Sequence, residues 1–197
     1  SLGNQLASLF VKTEEALDYY NPNYVILLGD TNTALASVII ARKNIKLIHI
    51  EAGMRSFDWR MPEEKNRVVA DHLSDILYIY LNDYANHAIL EGIDTSKISI
   101  VGNPIVDIVN QWRHKIDSID VYNITKTKDF IFSTIHREEN VDSPENFNNL
   151  LKSIDLLSTR FNIPIIISTH PRTRKKLEDI RYEHSNRLVK FSKPYGF

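Results

Sequence analysis

Seven short runs of mostly consecutive apolar residues punctuate this chain, at 24–29, 46–50, 75–81, 98–101, 129–135, 163–169 and 188–191. Between them lie stretches whose length and composition suit helices, so strand, turn, helix and strand recur in that order. This recurrence predicts βαβ units and parallel sheets, an α/β fold. In YVILLG at 24–29 the apolarity is continuous rather than alternating, and such a strand is expected to be covered on both faces.

Leu6, Leu9, Phe10 and Leu17 recur at helical spacing, so the chain is expected to open within a helix. Further helices are expected over 33–43, from Pro62, over 84–91 with Gly92 as the stop, over 104–116, from Ser143-Pro144 to about Arg160, and from about 172. Pro62 and Pro144 suit a first helical position because proline has no N–H to leave unpaired. Val68, Val69, Leu73 and Ile76 are expected to form the buried face after Pro62, with Glu63, Glu64, Arg67 and Asp71 elsewhere. The polar segment 117–128, DSIDVYNITKTK, is the expected linker between two Rossmann-like parallel-sheet domains, 1–116 and 129–197. The second domain has only about three strands, few for such a sheet. Both domains are therefore expected to be incomplete, and the chain to be a central piece of a longer protein.

A hydrophobic share of 43 % and a charged share of 25 % over 197 residues allow an ordinary core. The net charge of −1 gives no general attraction to nucleic acid or to an anionic membrane. Without cysteine there is no disulfide, thiolate metal site or thiol nucleophile. No apolar run approaches the ~20 residues that span a bilayer, and the first residues lack the profile of a signal peptide. Together these features give the expectation of a cytoplasmic protein.

Parallel sheets bind ligands at the carboxyl ends of their strands. That rule selects Asp30, Glu51, Gly102-Asn103, His136 and His170. Each also has a structural reading. Asp30 suits a helix cap, Glu51 an ion pair with Arg55 or Arg67, and Glu63 and Glu64 a helix dipole. His136 suits a core position, His170-Pro171 a turn, and the basic run 172–176 a solvated helix face. Taken together, Asp30, Glu51 and Glu63 offer carboxylates for proton transfer at carbon. His136 and Arg137 offer donors to a departing phosphate. No GxGxxG or Walker A loop is present for a dinucleotide or P-loop site, and no nucleophile elbow. The His and carboxylate spacing is too loose for a metal.

The stretches GDTNTALAS (29–37), HIEAGMRSFDWRMPEEKNR (49–67), DHLSD (71–75), GNPIVD (102–107), HREEN (136–140) and THPR (169–172) span nearly the whole chain. In this order and spacing they resemble the non-hydrolysing UDP-N-acetylglucosamine 2-epimerases. The resemblance implies two Rossmann-like domains of glycosyltransferase-B type, a UDP-sugar ligand, a homodimer and no cofactor. It implies interconversion of UDP-GlcNAc and UDP-ManNAc through 2-acetamidoglucal and UDP, for surface polysaccharide synthesis. Matched by motif, Asp30, Glu51 and Glu63 form the acid/base set, and His136 assists catalysis and binds UDP. Arg137, Glu139 and His170 match further sugar-nucleotide contacts, in some members those of a second, regulatory UDP-GlcNAc. Glu138 departs from the pattern, because many bacterial members carry an arginine there. The family's N-terminal phosphate-binding arginine and C-terminal uridine-phosphate loop have no match here, so these 197 residues alone are expected to have little or no turnover. Two alternatives keep the fold: an epimerase of a 2,3-diacetamido or 6-deoxy UDP-sugar, and a glycosyltransferase. Epimerases of the first kind more often read EAGNRCFD where this chain reads EAGMRSFD. A UDP-sugar-binding sensor without catalysis is the third alternative.

Overall fold

The computed structural model describes residues 1–182 and 186–195, with the side chains of 124, 138 and 139 outside the description. The chain divides into two compact units, Ser1–Arg113 and His114–Phe197. Each is built on its own parallel sheet.

The first unit runs α1 (Leu2–Tyr20), β1 (Tyr24–Leu28), a 3-10 turn (Asn32–Ala36), α2 (Ser37–Ile40), β2 (Lys46–Ala52) and α3 (Pro62–Leu73). It continues through β3 (Ile76–Ile79), α4 (Asn82–Leu90), β4 (Ile98–Ile100) and α5 (Pro104–Asp117), inside which the division falls. The strands pair in parallel in the order β1-β2-β3-β4. An order that advances one strand at a time, with right-handed crossovers, keeps the connecting helices on one face of the sheet. Leu17, Leu27, Ala36, Ile40 and Leu47 form the core where α1, α2 and the 3-10 turn meet β1 and β2. Ala52, Leu77, Ile79, Ala85, Ala88 and Ile93 form a second core under α4.

Within these residues Tyr24, Ile26 and Leu28 of β1 are exposed and Leu27 is buried. The helix expected over 33–43 is broken into the 3-10 turn and the four-residue α2. The Asn32 side chain is drawn to α3 instead, its Oδ1 accepting from Asn66 Nδ2 at 3.2 Å.

The larger correction concerns α3. Its buried residues are Glu64, Asn66, Arg67, Ala70 and Asp71, while Leu73 is exposed and Ile76 belongs to β3. Val68 and Val69 are only half-buried. The helix turns a polar face inward because partners for every charge wait there, as the site below shows.

The second unit runs α6 (Val121–Thr125), β5 (Ile131–Ile135), α7 (Glu138–Val141), α8 (Pro144–Phe161), β6 (Ile165–Thr169), α9 (Pro171–Asp179) and β7 (Val189–Ser192). Its strands are parallel in the order β5-β6-β7. The Ser143 side chain accepts the Asn146 N–H at 3.3 Å and starts α8, and Asn162 ends it in the left-handed conformation. Phe147, Leu151 and Ile154, at helical spacing, pack onto Ile135, Ile165 and Ile167. The segment 117–128 holds the last residue of α5 and the short helix α6.

Candidate active site

The carboxyl edge of the first sheet is made by the ends of β1 and β2. Leu28 pairs with Ile50, and the Gly29 N–H donates to the Ile50 carbonyl at 3.1 Å. One residue later β2 bulges against β3, and Glu51 adopts a left-handed conformation with φ 74°. For a residue with a β-carbon this costs about 1–3 kcal/mol and persists only where the surroundings enforce it. Gly29 is left-handed too, with φ 75°, and a β-carbon there would stand 3.2 Å from Glu51 Oε2. The Glu51 carboxylate therefore lies over the glycine that leads directly into Asp30. Adjacent strand ends bring these two acids together. Tyr80 follows β3, and its phenol is pushed up by burial and then by the Glu51 charge, which places the two groups within electrostatic reach.

Helix α3 supplies the underside of this edge. Arg67 is ion-paired with Asp30 through Nη2, and through Nη1 with Glu64 at 2.7 Å. Nη1 also donates to the Met54 carbonyl at 3.2 Å, and Nε is buried with no protein partner among the described residues. Asn66 Nδ2 donates to the Asp30 carbonyl at 3.0 Å and to Asn32 Oδ1 at 3.2 Å. Asp30 is thus held at both carboxylate and backbone. Glu64 accepts from the Ser56 N–H at 3.0 Å and the Phe57 N–H at 2.9 Å, which anchors the loop between β2 and α3. Burial works to raise the Glu64 carboxyl, but these two N–H donors, the Ser56 hydroxyl and the Arg67 charge outweigh it and hold it below its ordinary value. Glu63, one residue earlier, is exposed on the first turn.

A second charged chain lies behind Glu51. Asp71 meets His49 Nδ1 at 2.7 Å, accepts the Gly53 N–H at 3.1 Å, and accepts Arg55 Nη1 at 2.7 Å. Arg55 grips Glu91 in a two-pronged pair at 2.7 and 2.6 Å, and Arg55 holds the Glu91 carboxyl below its usual range. His49, Asp71 and Arg55 are almost wholly enclosed, with side-chain exposures of 0, 0 and 1 %. Gly53, at φ 75°, lets β2 pass α4 closely, since a β-carbon there would meet the Tyr84 carbonyl oxygen at 2.4 Å.

In the second unit Ile135 of β5 pairs with Thr169 of β6, so the next residues, His136 and His170, stand side by side. Their ring centroids are 6.1 Å apart, and both residues are exposed. His170 also caps α9, its Nδ1 accepting the Arg172 N–H at 3.2 Å. Buried Thr173 donates its hydroxyl to the Ile135 carbonyl and ties α9 to the end of β5. Arg137 is exposed beside His136, and the Glu139 side chain lies outside the described residues.

The structure thus joins Asp30 to Glu51 in one sheet edge and His136 to His170 in another, with Glu63 on α3. The two ion pairs open to Glu51 in sequence, with Arg55 and Arg67, give way to others. Arg55 serves Asp71 and Glu91, and Arg67 serves Asp30 and Glu64. Sequence reasoning assigned no role to His49, Asn66 or Asp71. The available signal was the i, i+3, i+6, i+7 spacing of Glu64, Arg67, Ala70 and Asp71, which marks one inward face. Among the described residues no group of three or more histidines and carboxylates is disposed to hold a metal, and no helix is long and apolar enough to cross a membrane.

A family model described as UDP-N-acetylglucosamine 2-epimerase matches residues 1–197. The UDP-N-acetylglucosamine 2-epimerase of Methanococcus maripaludis is 40 % identical over 207 residues, which take in 100 % of this chain and 56 % of that protein. The crystal structure of Methanocaldococcus jannaschii UDP-GlcNAc 2-epimerase in complex with UDP-GlcNAc and UDP superposes with a TM-score of 0.90 at 35 % identity, covering 100 % of this chain and 56 % of that one. The UDP-2,3-diacetamido-2,3-dideoxy-D-glucuronate 2-epimerase of Pseudomonas aeruginosa is 32 % identical, over 89 % of this chain and 50 % of its own. The chain therefore spans about half the length of these relatives. Its parallel α/β units are those of a GT-B-like fold. On sequence and fold together, the chain belongs to the UDP-N-acetylglucosamine 2-epimerase family.

Proposed function

We propose that this chain carries the acid/base residues of a non-hydrolysing epimerase that, as a whole protein, interconverts UDP-GlcNAc and UDP-ManNAc. A carboxylate removes the C2 proton, the C1–oxygen bond to the diphosphate breaks, and C1=C2 forms, leaving 2-acetamidoglucal and UDP. A proton then returns to the other face of C2 while a UDP oxygen re-forms the bond to C1. Asp30, Glu51 and Glu63 are the acid/base set in this reading. His136 assists at the diphosphate, and Arg137, Glu139 and His170 contact the nucleotide sugar. The protein acts in the cytoplasm as a homodimer and needs no cofactor.

The observation that carries the reading is the juxtaposition of Glu51 and Asp30. A strained left-handed glutamate is pressed over Gly29 at the mouth of a parallel sheet. Strain of this kind concentrates at sites of chemistry, and the edge in question is where open sheets bind ligands. The identity to UDP-GlcNAc 2-epimerases supports the substrate.

The full-length protein turned over in heavy water is expected to incorporate deuterium at C2 of its product. Glu51→Gln and Glu63→Gln should each lower that exchange about 100-fold or more. Exchange at the wild-type rate in both variants would remove the assigned roles, and retention of protium at C2 in wild-type product would remove the reaction. The second reading, a 2,3-diacetamido UDP-sugar, is favoured by the Pseudomonas aeruginosa relative. It requires a higher kcat/KM for that sugar than for UDP-GlcNAc.

A further inference from the structure

His49 is fully enclosed, and both of its ring nitrogens meet oxygen. Nε2 lies 2.8 Å from the Gly29 carbonyl oxygen, which can only accept, so Nε2 carries a hydrogen. Nδ1 lies 2.7 Å from Asp71 Oδ1. Asp71 Oδ2 already accepts from the Gly53 N–H and from Arg55, the pattern of an ionised carboxylate, which also only accepts. Nδ1 therefore carries a hydrogen as well. With the ring doubly protonated, His49, Asp71, Arg55 and Glu91 alternate in sign from the interior to the exposed Glu91, which His72 also meets at 3.5 Å. A neutral ring beside an ionised Asp71 would set the Nδ1 lone pair against an oxygen in a fully enclosed position.

The two bonds reach two separate pieces of backbone. The Gly29 carbonyl belongs to the peptide that leads into Asp30. Asp71 holds the Gly53 N–H, two residues past Glu51, and His49 itself lies two residues before Glu51 on β2. We propose that His49 is a positioning residue: an imidazolium that, by donating from both ring nitrogens, fixes the Gly29–Asp30 peptide against the Glu51 bulge and so sets the spacing of the two carboxylates. Its kinetic consequence rests on the epimerase reading; the hydrogen-bonded state of the ring does not.

Two measurements on the full-length protein test this. In nitrogen-resolved NMR of labelled wild-type protein at neutral pH, both His49 ring nitrogens are expected to bear hydrogen. A ring with one N–H and one bare nitrogen overturns the proposal, whatever the activity. In kinetics, His49→Asn keeps a donor near the Nδ1 position and His49→Gln one near Nε2, so each preserves one of the two bonds. Each variant is expected to lower kcat for C2 exchange about 10-fold or more, with KM for UDP-GlcNAc changed by less than about 3-fold. Wild-type kcat in either variant overturns the proposal, as does a rise in KM with kcat intact. If a variant fails to fold, the wild-type ring spectrum still decides. Absence of C2 exchange in the wild type would count against the epimerase reading and leave the ring result to be judged separately.

Discussion

Glu51 shows how much a single residue depends on its neighbours here. Its backbone is left-handed, and its carboxylate lies so close to Gly29 that a β-carbon there would stand 3.2 Å from Oε2. Gly29→Ala is therefore expected to do two things. It should destabilise the fold by about 1–2 kcal/mol, since alanine at φ 75° is strained, and it should push the Glu51 carboxylate out of place. Chemical denaturation measures the first effect, and C2 exchange falling about 10-fold or more the second. Tyr80 reports on the same carboxylate from the other side. Burial and the Glu51 charge both disfavour its phenolate, so Glu51→Gln should lower the Tyr80 pKa. An NMR titration of the Tyr80 ring checks this, and an unchanged value would mean that burial alone sets the shift.

At the scale of an element, α3 inverts the usual division of a surface helix. Its inward face is charged, and it is stable because Glu64, Arg67 and Asp71 meet partners on the loop, on β1 and on β2. Glu64 has a pH consequence. Its folded-state value lies below the ordinary 4.5, so its contribution is fully present above that pH and is lost as pH falls through the lowered value. Glu64→Gln is expected to cost about 2 kcal/mol at pH 7 and to make the acid-side decline in stability shallower. Denaturation midpoints recorded from pH 7 down to 3 would show it, and parallel curves would refute it. Where β2 passes α4, Gly53→Ala should cost about 3 kcal/mol or more, because a β-carbon 2.4 Å from the Tyr84 carbonyl oxygen forces backbone to move.

Across the whole molecule the candidate site residues are divided between two units with separate cores. The carboxylates stand on the first sheet and the paired histidines on the second. The core of the second unit holds Phe147, which is 1 % exposed and packed among Ile135, Leu151, Ile165 and Ile167. Phe147→Ala is expected to cost about 3–5 kcal/mol, read as faster amide exchange in β5, β6 and β7.

The alternation of apolar runs and helical stretches was enough to establish a parallel α/β fold, because strand and helix periods are local properties of the chain. Strand-end position was likewise legible for Asp30, Glu51, His136 and His170, each of which lies within two residues of the carboxyl end of a strand. Which faces were covered, and which charges met, only the tertiary structure decided. Val68, Val69 and Leu73 looked like a core face, yet Glu64, Asn66, Arg67 and Asp71 were buried instead. The cost of burying a charge depends on partners far along the chain: Asp30 and Asn32 for α3's first turns, His49 and Gly53 for its last. No local pattern carries that information. His49 is the clearest case, since its two bonds span 20 and 22 residues of sequence and exist only once β1, β2 and α3 have come together.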